Sequence, residues 1–165
     1  MSTDPHGDPC TPDRAWPVVP GIYVAGRDSA SWVLPARPTT VFCLSRTLPG
    51  PELYERAGLS PDRVLHRPFT YWESEAPVAL LDDLVGEISL QTGPAQTLIH
   101  CTLGLDRTGV VALALLLRHF RTLDEAFARY QARGVRLPRH DALNVLTRYA
   151  EHHHRTESEE AGHAH

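Results

Sequence analysis

The chain reads as an α/β fold, a largely parallel sheet covered by helices. Two patterns in the sequence point there. Short apolar runs rich in β-formers alternate with segments of helical periodicity, and no internal repeat interrupts the alternation. The length, 165 residues, and a hydrophobic content of 42% fit one ordinary domain with a sizeable core.

The elements follow in order. The first 20 residues hold five prolines and read as a leader rather than a packed element, with residues 1–15 flexible and the domain running over 16–152. Gly21–Gly26 predicts a short strand bounded by glycines, and Thr39–Leu44 a buried one. Pro49 and Pro51 lead into a short helix near Glu52–Ala57, and Arg63–Phe69 is a third strand candidate. Val78, Leu81, Leu84, Val85 and Ile88 recur at helical spacing, which predicts a helix over 77–91 stopped by Gly93-Pro94. Thr97–His100 is a fourth strand, and an apolar helix is expected from Thr108 to Phe120. Thr122 and Glu125 form a capping box for a helix ending near Gly134. Pro138 suits the first turn of a last helix carrying Leu143, Leu146 and Tyr149 on one face. Residues 153–165, acidic and His-rich, read as a solvated flexible tail.

Composition removes several classes of function. All 16 basic residues are Arg, which excludes Schiff-base lysine chemistry and a phosphate loop ending in Lys-Ser/Thr. The net charge of −4 is concentrated in the two ends, and no cluster of positive charge suggests nucleic acid. The longest apolar run, Val110–Leu117, has eight residues, well below a membrane span. The N-terminus lacks a basic-then-apolar signal, and Cys10, Cys43 and Cys101 have no paired spacing. A reducing cytoplasm is therefore the expected compartment.

The chemistry is concentrated in His100-Cys101-Thr102-Leu103-Gly104-Leu105-Asp106-Arg107-Thr108-Gly109, between a buried strand and an apolar helix. Open α/β sheets bind ligands at such strand ends. Unpaired backbone amides and the helix dipole make the following helix N-terminus a cradle for anions. Gly104 lets the loop turn without a side chain in the way. Arg107 can grip two phosphate oxygens in a bidentate fork. Cys101 lies at the bottom of the cradle, where a positive field favours the thiolate, a nucleophile aimed at phosphorus. His100 can orient the loop through its backbone, and the Thr108 hydroxyl can donate to the sulfur as it departs. On composition alone the joint pattern arises by chance about once in 10⁵.

These residues resemble the signature of the cysteine-dependent protein tyrosine and dual-specificity phosphatases: His-Cys, five residues, Arg and Ser/Thr. The ending Asp-Arg-Thr-Gly is similar to bacterial tyrosine phosphatases and phosphoinositide phosphatases of that superfamily. Val19–Gly26 resembles the opening strand of the dual-specificity group, and the likeness spans about residues 16–152. The resemblance implies a four- to five-stranded, mostly parallel sheet flanked by helices. It implies a phosphocysteine intermediate, no metal and no other cofactor. Substrate would rest on His100 and the loop Thr102, Leu103, Gly104, Leu105, Asp106 and Arg107, with inorganic phosphate or sulfate as a further occupant.

The sequence departs from that pattern in two ways. The family's Asp general acid is missing from Thr70-Tyr71-Trp72-Glu73-Ser74-Glu75, which leaves Glu73 first, Glu75 second and Asp106 third as replacements. The alternative for both glutamates is a solvated loop charge, with Ser74 capping the next helix. Leu105 stands where related lipid phosphatases carry Lys. That favours phosphotyrosine, a phosphoprotein or a small phosphomonoester over a phosphoinositide. Trp72 and Tyr71 can form an aromatic lid or wall, or anchor their own loop. Arg136, Arg139 and His140 can approach the pocket or form an exposed basic turn. In some relatives a cysteine placed like Cys43 forms a reversible disulfide with the nucleophile; core packing is the alternative. Besides an active phosphatase, the sequence admits a catalytically weak phosphate-binding module and, with less support, a sulfurtransferase or arsenate reductase.

Overall fold

The computed structural model describes residues 16–26, 40–91, 96–101, 106–132 and 137–162. Five strands, β1 (Trp16–Val19), β2 (Ile22–Gly26), β3 (Thr40–Cys43), β4 (Val64–His66) and β5 (Thr97–Cys101), form one sheet in the order β1-β2-β5-β3-β4. Only β1 and β2 pair antiparallel; every other pair is parallel. Five strands, mostly parallel, are what the sequence resemblance implied.

Strand β5 has neighbours on both sides, and all five of its residues are buried. Burial of every residue is what a parallel strand covered on both faces shows, and here it takes in the polar Thr97 and His100 as well. Alternation along the strands sends side chains to two different layers. Val24, Phe42, Ile99 and Cys101 enter the large core beneath α2 (Pro77–Leu90), α3 (Asp106–Leu117), α4 (Leu123–Gln131) and α5 (His140–Gly162). Ala25, Val41 and Leu98 face the smaller layer made by Tyr54 of α1 (Pro51–Arg56) and Leu59. Helix α3 is buried without a break from Thr108 to Leu117, as a helix apolar on all sides must be.

The sequence reading needs correction in several places. Trp16–Val19 is not leader but strand β1, with Val18 and Val19 buried. Pro17 is tolerated because β1 is an edge strand. The β1–β2 turn follows from Pro20-Gly21: proline presets the first turn residue, and Gly21 takes φ 83°, which the second position of a type II turn demands. The third strand candidate shrinks to β4, after a 3-10 turn at Pro61–Arg63 that the sequence did not announce. Pro68 interrupts its pairing, although Arg67 N still donates to Cys43 O (2.9 Å) and Phe69 N to Leu44 O (3.0 Å).

Helix α3 begins at Asp106, two residues earlier than expected, and ends at Leu117. The Thr122 hydroxyl accepts from Glu125 N (3.2 Å), but the returning carboxylate bonds Arg121 N (3.0 Å), so the capping box closes one residue early. Helix α4 ends at Gln131; Gly134 lies outside the described residues. Helix α5 starts at His140, beyond Pro138, and runs to Gly162, so residues 153–162 of the expected tail are helical. No proline or glycine occurs in it before Gly162, and His153 stacks on Tyr149 (6.0 Å, 7°) and meets Glu157 at 3.3 Å. No helix among the described residues is long and apolar enough to cross a membrane.

Candidate active site

The site is built where β5 ends and α3 begins. Cys101 is the last residue of β5, 2% exposed, and Asp106 and Arg107 open α3. Thr102, Leu103, Gly104 and Leu105 lie outside the described residues. The central strand and the buried helix fix both ends of this short connection. Cys101 thus ends the central strand five residues before a core helix opens.

Each flanking residue has identifiable surroundings. His100, fully buried, points to the α1 face, opposite the side chain of Cys101. Its Nε2 lies 2.9 Å from the Tyr54 hydroxyl and its Nδ1 3.3 Å from the carbonyl oxygen of Cys101. Thr108 is buried, and its hydroxyl has no hydrogen-bond partner among the described residues. A buried orphan hydroxyl one residue beyond Arg107 calls for a partner that a loop or ligand would provide. Gly109 is required by packing: a Cβ there would stand 2.8 Å from Pro138 Cγ and 3.0 Å from the Tyr130 hydroxyl.

The rim is organised by the 3-10 turn Tyr71–Glu73. Trp72, half exposed, lies under the Arg107 guanidinium at 5.8 Å from its ring centre, within cation–π range. Its ring also meets Tyr71 edge-on at 5.0 Å. Tyr71 is buried against Phe69 and donates to Asp141 Oδ2 (3.4 Å). Burial, then the Asp141 carboxylate, pushes its phenol pKa above the ordinary value. Of the two sequence readings, Trp72 is the wall beside Arg107 and Tyr71 the anchor.

The three acid candidates separate clearly. Glu73 shares the turn with Trp72, and its carboxylate is paired with Arg46, which follows β3; both side chains are more than half exposed. Glu75 faces a cleft with Val78, Asp82, Asp83, Arg148 and His152, which includes neither Cys101 nor Arg107. Asp106 accepts from Arg139 N (2.8 Å), and its other oxygen lies 3.3 Å from Arg139 Nε. Asp106 is thus engaged in joining the start of α3 to the segment before α5. Arg139 serves that junction, His140 is the exposed first residue of α5, and Arg136 lies outside the described residues.

Cys43 is in register with His100 on the neighbouring strand, and both described cysteines are buried thiols, not joined to each other. The two thiols lie on opposite faces of the sheet: Cys43 meets the Tyr54 hydroxyl, whereas Cys101 enters the large core. This arrangement does not bring the thiols together for a disulfide. Sequence reasoning missed Tyr54 and Arg46. Neither sits in a motif, and each reaches its partner across a long separation in the chain.

No family model matches the sequence, and no curated protein does. Solved structures do. Human DUSP28 is 24% identical, with 86% of this chain and 96% of that one aligned at a TM-score of 0.65. Tk-PTP in its active form is 22% identical, covering 83% and 96%, at 0.61. The human tyrosine phosphatase-like serine/threonine/tyrosine-interacting protein is 20% identical, covering 86% and 99%, at 0.62. Similarity at this level establishes the architecture: the chain has the fold of the dual-specificity and tyrosine phosphatases.

Proposed function

We propose that the protein hydrolyses phosphomonoesters, phosphotyrosine or another phosphoprotein group foremost, through a phosphocysteine intermediate. One observation carries this reading: a buried cysteine ends the central parallel strand, and a core helix opening with Asp-Arg-Thr begins five residues later. The amides of loop 102–105 and the helix N-terminus receive the dianion, and Arg107 grips two of its oxygens. The Cys101 thiolate attacks phosphorus; the S–P bond forms as the bond to the leaving oxygen breaks, and that oxygen takes a proton. Water then attacks phosphorus, orthophosphate leaves, and the sulfur regains its electron pair with a hydrogen bond from Thr108. The buried, unpartnered Thr108 hydroxyl supports that last role.

Glu73 is the acid we favour, because its neighbour Trp72 touches Arg107. The pair with Arg46 must open for the carboxyl to carry a proton, and surface pairs of this kind cost little to open. Glu75 is second. The engagement of Asp106 with Arg139 speaks against its being the acid. We place the protein in a reducing cytoplasmic setting, with which the unjoined Cys43 and Cys101 are in keeping.

Phosphate release from p-nitrophenyl phosphate and a phosphotyrosine peptide tests the reading. Wild type should turn over, and Cys101→Ser should not. Glu73→Gln should lose about 10²–10⁴ in kcat, more for the peptide with its poorer leaving group. A second reading has its own support: Glu73 and Asp106 are both held by arginines, and one fold neighbour is named phosphatase-like and interacting. On that reading the pocket binds a phosphorylated partner with little turnover. Wild type that binds phosphopeptide without releasing phosphate would select it.

A further inference from the structure

One ion pair at the rim is built more loosely than its neighbours. Arg67 donates three hydrogen bonds to the Glu87 carboxylate, at 3.1, 3.0 and 2.9 Å. Arg139 meets Asp106 through both its backbone N–H (2.8 Å) and its Nε (3.3 Å), with Asp141 3.8 Å away. Arg46 has one contact, from a terminal nitrogen to one Glu73 oxygen, and the two side chains are 59% and 52% exposed. We propose that this pair is a latch on the acid and that the substrate opens it. An acidic side chain beside the phosphorylated residue takes Arg46 from Glu73, and the freed carboxyl protonates the leaving oxygen. The inference rests on the phosphatase reading above, with Glu73 as its acid.

The fold holds Arg46 at the right edge. Strands β3 and β5 are paired and parallel, so their carboxyl ends lie together. Leu44 N donates to His100 O there (2.8 Å), one residue before β5 ends at Cys101. Ser45 is buried, and its carbonyl accepts from His66 Nε2 at 2.7 Å. Arg46 is the first residue beyond that anchor, and its side chain crosses to the turn Tyr71–Glu73. Trp72 of the same turn touches Arg107. A pinned backbone under an exposed side chain suits an exchangeable contact: the guanidinium stays at the rim whichever carboxylate it holds.

The exchange costs little. Exposed arginine–carboxylate pairs differ only slightly in free energy from their separated, hydrated partners. A substrate carboxylate restores to Arg46 the contact that Glu73 gives up. Glu73, already half in water, is left without its cation and open to a proton. A substrate without an acidic neighbour leaves the latch closed for most of the time. Selection therefore falls on the phosphoryl-transfer step, where the acid acts, and not on binding alone.

The test uses phosphotyrosine peptides that differ only in Glu or Gln at each of the three positions on either side of the phosphotyrosine, about 10 Å of extended chain each way. In single turnover, the saturating rate reads phosphoryl transfer and the half-saturating concentration reads binding. At low salt, Glu at the position that reaches Arg46 should raise the wild-type saturating rate by up to about fivefold, the most such a pair is worth. The gain should fade as salt is added. Arg46→Gln should handle Glu and Gln peptides alike, at the rate wild type reaches only with Glu. Glu73→Gln should be slow with both and equally so, because no acid is left to free. A wild-type distinction confined to binding overturns the proposal: Arg46 would then hold substrate without governing the acid. A rate gain that survives in Arg46→Gln or Glu73→Gln overturns it as well, and so does equal release from every peptide by wild type. Wild type that releases no phosphate from any peptide removes the phosphatase reading itself, and the latch with it.

Discussion

The floor and the rim of the candidate site are held by opposite kinds of interaction. The floor consists of His100, Tyr54, Thr108 and Gly109, all sealed from water and fixed by close packing or buried hydrogen bonds. The rim consists of Trp72, Glu73 and Arg46, each half exposed or more; a cation–π contact ties Trp72 to Arg107, and a surface ion pair joins Glu73 to Arg46. A buried polar contact is costly to break because its groups have no water to turn to. An exposed pair exchanges one charged partner for solvent at little cost. On the phosphatase reading proposed above, this gives rigidity to the part that would present the nucleophile, and looseness to the part that would admit a leaving group and deliver a proton.

The largest expected effect comes from crowding the floor. Gly109→Ala should destabilise the protein by about 1–3 kcal/mol, because the new methyl would meet the rigid Pro138 ring at 2.8 Å. Gly86 offers the control within another helix. A Cβ there meets nothing within 4 Å, so Gly86→Ala should stabilise by about 0.5–1 kcal/mol through helix propensity. Urea denaturation of both variants measures the two signs; equal signs would mean that α3 is not held against Pro138.

Alkaline titration probes the same floor more gently. Tyr54, Tyr71 and Tyr149 all have raised pKa values, each chiefly from burial. A raised phenol stays neutral in the fold while the unfolded chain ionises near its ordinary value of about 10. Their contribution is therefore complete below that pH and is lost as pH rises above it. Denaturation midpoints should hold steady up to about pH 10 and then fall. The fall should be shallower in Tyr54→Phe, which has one fewer phenol to ionise on unfolding. An equal slope would mean that burial does not hold the Tyr54 phenol neutral.

Much of this arrangement was legible because local signals and global fold agree. The short strand Thr97–His100 and the apolar helix after Arg107 mark the two core elements that bracket the loop, and both formed. Trp16–Val19 escaped because prolines on either side suggested a leader, whereas an edge strand accepts a proline. The reach of α5 to Gly162 escaped because acidic and histidine-rich composition suggests solvation, which an exposed helix satisfies equally well. The roles of Tyr54 and Arg46 were beyond sequence reasoning, since both depend on which strands become neighbours. The same holds for Asp106: its carboxylate is ambiguous in the sequence and becomes a structural clamp only once Arg139 is beside it.

The smallest effect should come from the rim, and it decides what Arg46 does there. Both partners of the Arg46–Glu73 pair are more than half exposed, so the pair is worth at most about 1 kcal/mol and weakens with salt. Arg46→Ala should therefore leave the denaturation midpoint nearly unchanged. It should also free the Glu73 carboxyl, raising turnover at low salt by no more than about fivefold, the population equivalent of that energy. In wild type the same gain should appear on adding salt, and in Arg46→Ala it should be absent. If turnover in the variant instead falls at every salt concentration, Arg46 contributes to holding substrate. If neither variant nor salt matters, the acid is not Glu73, and Glu75 is the residue to substitute next.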